Sequence, residues 1–119
     1  MFFKRQITNK AKGSWNHQNK PVFWIDGGAH AREWISPAVA LYVIDHLVKG
    51  YSSDYNIQRY VDEIDFYIVP VLNPDGYQYS RSKLRLWRKN RNPNNGNFFS
   101  NSDHCNGVDL NRNFGFAWG

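Results

Sequence analysis

Two residues in the stretch GGAHAREWISP carry chemistry that their neighbours do not, His30 and Glu33. An imidazole nitrogen and a carboxylate oxygen are both good zinc ligands, at about 2.0–2.2 Å. Three positions apart, they can face the same way if the backbone turns. Gly27 and Gly28 just before them allow such a turn without a Cβ clash. The same residues also fit a polar loop whose glutamate sits near the positive end of a helix. A catalytic zinc takes three protein ligands and a water. The other histidines are His17, His46 and His104, and none has a spacing that nominates it as the third.

Two further groups of residues could act on an anion. Trp87-Arg88-Lys89-Asn90-Arg91 offers guanidinium groups, which pair with carboxylates through double hydrogen bonds and keep their charge. A solvated basic loop would read the same way. In Gly107-Val108-Asp109-Leu110-Asn111-Arg112-Asn113-Phe114, an amide stands beside a guanidinium, and both could reach one anionic group. Asp109 could orient a histidine through its ring N–H, as partners of metal-bound histidines do. The plainer reading is a turn with a short strand. Cys105 is the single cysteine. It fits a buried small hydrophobe, a reactive thiol, or half of a bridge whose partner is absent from the chain.

These residues need a scaffold, and the chain is long enough to make one. It has 119 residues, 41% hydrophobic and 17% aromatic, which is the composition of a globular domain. The net charge is +5, but most of the cations fall in two places, Lys4 to Lys20 and Arg81 to Arg91. No nucleic-acid-binding motif accompanies them, so no nucleic-acid partner is expected. No apolar stretch of signal-peptide or membrane-spanning length occurs, so no membrane partner is expected either.

Phe2 to Ile7 reads as a short strand and Asn9 to Lys20 as an exposed loop. Val22–Ile25 is β-branched and aromatic, and ends in Asp26-Gly27-Gly28; it reads as a strand buried on both faces. Ser36 as N-cap and Pro37 at the first position predict a helix that runs to Gly50. A shorter helix is expected from Asp54 to about Asp62. Phe66–Leu72 reads as a second buried strand, with Pro70 near its end or at a bulge because proline cannot donate to the ladder. Asn73-Pro74-Asp75-Gly76 is a turn signal, and beyond Tyr77 the periodicity fails. Asn90 to Asn113 holds nine asparagines, as loops do. Strand, helix, strand outlines an α/β unit, in which ligands gather beyond the carboxyl ends of strands. His30 and Glu33 follow the first strand in this way, and Asp75 the second.

The ordered stretches HAREW, NPDGY, LWRKNR and GVDLNRNF together closely resemble the zinc metallocarboxypeptidases of the carboxypeptidase A/B family, over most of Pro21 to Gly119. The resemblance implies a site with one Zn2+ held by two histidines and a glutamate, and that ligand set comes with the family, not from the spacing. It implies that His30 and Glu33 are the first two zinc ligands. It makes Asp109 the carboxylate that hydrogen-bonds the first zinc histidine. It gives Arg91 the role of polarising the scissile carbonyl and stabilising the oxyanion. Arg32 and Arg88 become substrate-binding arginines, and Asn111 with Arg112 the grip on the substrate's free carboxylate.

The resemblance also implies an α/β fold, a partial mixed-sheet sandwich of the zinc carboxypeptidase type, truncated at the C-terminus. Residues 1–119 would be a partial catalytic domain, incomplete at both ends. The family's third ligand (a histidine), its mobile tyrosine and its general-base glutamate are expected beyond Asn111-Arg112. So is the cysteine that would pair with Cys105. The partner implied is a peptide or protein C-terminus, the compartment extracellular, and the complete protein a monomer. By itself the chain is expected to be inactive, and the alternative is a truncated protein that binds peptide C-termini without cutting them.

Overall fold

The computed structural model describes residues 20–93 and 106–115. The expected strand at Phe2–Ile7, His17, His104 and Cys105 lie outside them. Strand β1 (Val22–Asp26) is followed by helices α1 (Ile35–Gly50) and α2 (Tyr55–Glu63), then strand β2 (Asp65–Val69) and helix α3 (Pro74–Ser82). A 3-10 turn at Leu110–Arg112 comes last. β1 and β2 pair in parallel, in register from Val22 with Asp65 to Asp26 with Val69. A parallel pair needs a long crossover, and α1 and α2 supply it.

The pairing sets successive aromatics against each other. Phe23 meets Phe66 at 5.8 Å between ring centres, and Trp24 stacks on Tyr67 at 6.2 Å. β2 ends before Pro70, shorter than the expected Phe66–Leu72. The ladder nevertheless resumes beyond the proline. Gly27 donates to Val69 O at 2.9 Å, Leu72 to Gly27 O at 2.8 Å, and Asn73 to Gly28 O at 3.1 Å. The two strand ends therefore run on side by side and bring the His30 loop against Asn73.

Gly27 and Gly28 make this closeness possible. A Cβ on Gly27 would stand 2.9 Å from the carbonyl oxygens of both Pro70 and Ser36. Gly28 has φ +68°, which L side chains rarely adopt.

Three expectations need correction. The first strand was expected to be buried on both faces, but Val22, Phe23 and Trp24 are 60%, 53% and 52% exposed. A parallel sheet is buried only when layers cover both faces. Here α1 and α2 pack against β2, leaving β1 open. Among the described residues, the buried hydrophobic side chains are Ala31, Ala40, Ile57, Ile68, Val69 and Trp87.

Second, Ser36 does not cap α1. The helix begins at Ile35 with no side-chain cap, and Ser36 Oγ instead accepts the Gly28 N–H at 3.0 Å. The serine spends its oxygen on the glycine turn and not on its own helix. In α2, by contrast, Asp54 caps the helix, accepting from Asn56 N and Ile57 N.

Third, Asn73-Pro74-Asp75-Gly76 is not an isolated turn but the start of α3. Asn73 Oδ1 accepts the Gly76 N–H at 3.0 Å and Pro74 takes the first position. These are helix-start preferences. The periodicity failed because the buried positions of this helix are Gly76 and Ser80, so no apolar stripe marks it.

Candidate metal and substrate site

His30 follows β1 in a loop of successive tight turns, where Glu33 N donates to His30 O and Ser36 N to Glu33 O. These turns put the two side chains on one side. His30 Nδ1 lies 2.8 Å from Glu33 Oε1. The other ring nitrogen, Nε2, lies 3.1 Å from Asp109 Oδ1, seventy-nine residues further along. Arg88 Nε donates to the second Asp109 oxygen at 2.8 Å, and its Nη1 is 3.6 Å from Glu33 Oε1. Histidine, two carboxylates and a guanidinium thus close a ring.

Asp109 is where the strands of this network meet. It pairs with His30 and Arg88, and its Oδ1 accepts the Asn111 N–H at 3.0 Å, capping the turn that carries Asn111 and Arg112. Desolvation pushes its carboxyl up. The hydrogen bond and charge of Arg88, the Asn111 amide and His30 outweigh that and hold it below the usual carboxylate value.

The backbone brings these groups together through asparagine. Asn90 N donates to Val108 O and Asn90 Oδ1 accepts from Val108 N at 2.8 Å. Gly107 N donates to Asn92 O, and a Cβ on Gly107, at φ +89°, would collide with Asn90 O. Ala31 N donates to Arg88 O at 3.0 Å, docking the basic loop on the histidine loop.

The donor chemistry fits a cation. Both ring nitrogens of His30 face carboxylate oxygens, yet a neutral imidazole has only one N–H. With that proton on Nε2 toward Asp109, the Nδ1 lone pair faces Glu33 Oε1. A second proton on the ring or a metal cation shared by Nδ1 and Glu33 resolves the opposition. Among the described residues no group of three or more His, Cys, Asp or Glu side chains could hold a metal ion.

The other expected residues separate. Arg32 is exposed, and its carbonyl accepts Arg85 Nη1 at 2.9 Å. Asn111 and Arg112 are exposed side by side, with Arg112 Nη1 donating to Asn111 O. Arg91 lies over the rings of Tyr79, at 3.8 Å, and Trp87, at 4.7 Å. The arginine beside His30 and Glu33 is Arg88. His46 is on α1, exposed and stacked on Tyr42, and Asp75 is exposed in the first turn of α3. The structural roles of Asn73, Ser80 and Asn90 went unread, because a buried asparagine or serine looks like any loop residue in sequence.

The family model described as zinc carboxypeptidase matches residues 5–119. The chain belongs to this family. This zinc carboxypeptidase chain is 50% identical to human carboxypeptidase B2 over 80% of its own length and 21% of the relative's. It is 44% identical to human carboxypeptidase B over 85% of its length and 23% of that protein's. The crystal structure of thrombin-activatable fibrinolysis inhibitor superposes with a TM-score of 0.71 at 42% identity, over 85% of this chain and 24% of that one. Carboxypeptidase A from Helicoverpa armigera gives a TM-score of 0.67 at 42% identity, covering 84% and 22%. The chain therefore spans between a fifth and a quarter of these proteins. The α/β fold is that of the family, in part.

Proposed function

We propose that these 119 residues form part of the catalytic domain of a secreted, monomeric zinc metallocarboxypeptidase, which removes the C-terminal residue of peptides and proteins. The observation that carries this reading is His30, with Glu33 at one ring nitrogen and Asp109 at the other. His30 Nδ1 and Glu33 would hold the metal, and Zn2+ bound there supplies Lewis-acid polarisation of a carbonyl and activation of water.

The chain's own residues do the rest. Asp109 accepts the Nε2 proton, fixes the tautomer and keeps Nδ1 a donor of electrons. Arg88, anchored on Asp109 and next to Glu33, presents a fixed positive charge where the scissile carbonyl gains negative charge. That assigns to Arg88 the oxyanion role that the family resemblance gave to Arg91. Arg91 stays packed on Tyr79 and Trp87. Asn111 and Arg112 take the substrate's free carboxylate, which makes the enzyme count from the chain end. Arg32 lines the approach.

The complete zinc-loaded protein should hydrolyse a peptide with a free C-terminus, lose that activity to a chelator, and spare the C-terminally amidated peptide. Equal cleavage of the free and amidated peptides would exclude a carboxylate-gated exopeptidase. The 119-residue chain alone is expected to show no turnover, since no group of three or more candidate ligands occurs among the described residues. A second reading, a binder of C-termini, draws on the exposed pair Asn111 and Arg112. It requires calorimetry to show tighter binding of free than of amidated peptide.

A further inference from the structure

His30 sits between two backbone carbonyls, and each is held by a buried side chain from one end of α3. Asn73, the N-cap, donates Nδ2 to Ala29 O at 3.2 Å and to Lys89 O at 3.0 Å. Ser80, in the last turn, donates Oγ to Ala31 O at 3.0 Å, sharing that proton with Tyr77 O at 2.8 Å. The same oxygen accepts the Trp34 Nε1–H at 2.9 Å. Both side chains are almost sealed from water, at 3% and 2% exposure.

The helix itself does not need these bonds. Capping uses Asn73 Oδ1 alone, and aspartate would cap α3 as well. What aspartate could not do is donate to two carbonyls. A serine inside a helix likewise adds nothing to the helix, and a hydroxyl there competes with its backbone bonds. The choice of amide and hydroxyl is explained by what they reach, which is the backbone on either side of His30. Asn73 reaches Lys89 as well, the residue after Arg88. One amide therefore ties the histidine loop to the arginine loop.

We infer that α3 is a clamp on the proposed metal ligand, with Asn73 and Ser80 as positioning residues that aim His30 relative to Glu33 and Arg88. The consequence for metal rests on the function proposed above; the clamp itself does not. A buried carbonyl left without its donor costs enough to loosen the local backbone, and a ligand whose supports are removed binds metal less tightly.

The test uses the complete protein, with nitrogen-labelled backbone and histidine. Asn73→Asp keeps the cap and the size but loses both donors. Ser80→Ala loses the hydroxyl, and Ser80→Thr retains it. Asn73→Asp and Ser80→Ala should each speed hydrogen exchange at the Ala31 amide roughly tenfold, and leave α1 and α2 amides unchanged. Each should move the His30 ring-nitrogen resonances, and each should weaken binding of Zn2+ alone, by calorimetry, roughly 10- to 100-fold. Ser80→Thr should restore all three readings. Ile57→Ala, which empties a core position remote from α3, should lower stability without moving the His30 signals. The clamp is overturned if Asn73→Asp and Ser80→Ala leave the ring resonances and Ala31 exchange at wild-type values, or if Ile57→Ala moves them equally. Wild type that binds no Zn2+ would defeat the metal reading of His30 and Glu33, while exchange and ring resonances still decide the clamp.

Discussion

The apolar half and the polar half of this chain have exchanged the roles that their compositions suggest. β1 and α1 are rich in Val, Ile, Leu and aromatics, yet Phe23, Trp24, Ile35, Val39, Leu41 and Tyr42 stand largely in water. The loops around α3 are rich in Asn, Arg and Ser, yet they enclose His30, Asn73 and Ser80. Among the described residues no buried side-chain nitrogen or oxygen lacks a hydrogen-bond partner. Apolar burial needs a second layer, and β1 and the open face of α1 have none among the described residues. A hydrogen-bonded network needs only its own members, and those of the site lie within these residues. The network around His30 is thus satisfied by its own members.

Removing a charge from the network is the hardest blow to that picture. In the complete protein, Arg88→Ala should lower kcat/KM by roughly 10²–10³-fold, the usual cost of losing an oxyanion donor. Arg91→Ala should cost less than about threefold in rate and about 1 kcal/mol in stability, since its contacts with Tyr79 and Trp87 are cation–π in kind. Steady-state kinetics and denaturant unfolding of both variants decide the order. A larger kinetic loss for Arg91→Ala would return the catalytic role to that residue.

Much of the first region was legible because it obeys periodicity. The strand after Pro21, the helix to Gly50 and the break at Pro70 follow from apolar spacing, from helix-end preferences or from proline chemistry. The second region follows no period. Its helix hides a Gly76–Ser80 face, and its decisive contacts join residues far apart in sequence, such as His30 with Asp109. The types of the site residues were readable, and the resemblance gave them roles. Which arginine stands beside the histidine was not readable, because Arg88 and Arg91 differ only in which way a loop faces. Burial of β1 was misread for the opposite reason: an apolar run states what a strand prefers and not what covers it.

Asp109 allows a gentler cut at the polar half. Its folded carboxyl is held below the ordinary value. A depressed acid contributes stability that is present above its unfolded pKa and is lost as pH falls through the folded one. Asp109→Asn should therefore cost about 1 kcal/mol at pH 7, given that the network is partly open to solvent. The difference from wild type should shrink below about pH 4, where the unfolded carboxyl protonates. Urea unfolding at a series of pH values reads both. A difference that stays constant down to acid would mean that Asp109 holds its partners by shape and not by charge.

The smallest effect on folding belongs to the apolar half, and it tests whether that half is bare in solution. Ile35 and Leu41 are 73% and 55% exposed on α1. Lysine matches leucine and exceeds isoleucine as a helix former. The double change Ile35→Lys with Leu41→Lys should leave the unfolding free energy of the 119-residue chain within about 0.5 kcal/mol. It should also reduce self-association, seen by sedimentation, because large exposed apolar patches drive contact between copies. A loss of several kcal/mol instead would mean that these residues are covered within the chain. The contrast between a bare apolar half and a self-satisfied polar half would then fail, while the ring of His30, Glu33, Arg88 and Asp109 would keep its own tests.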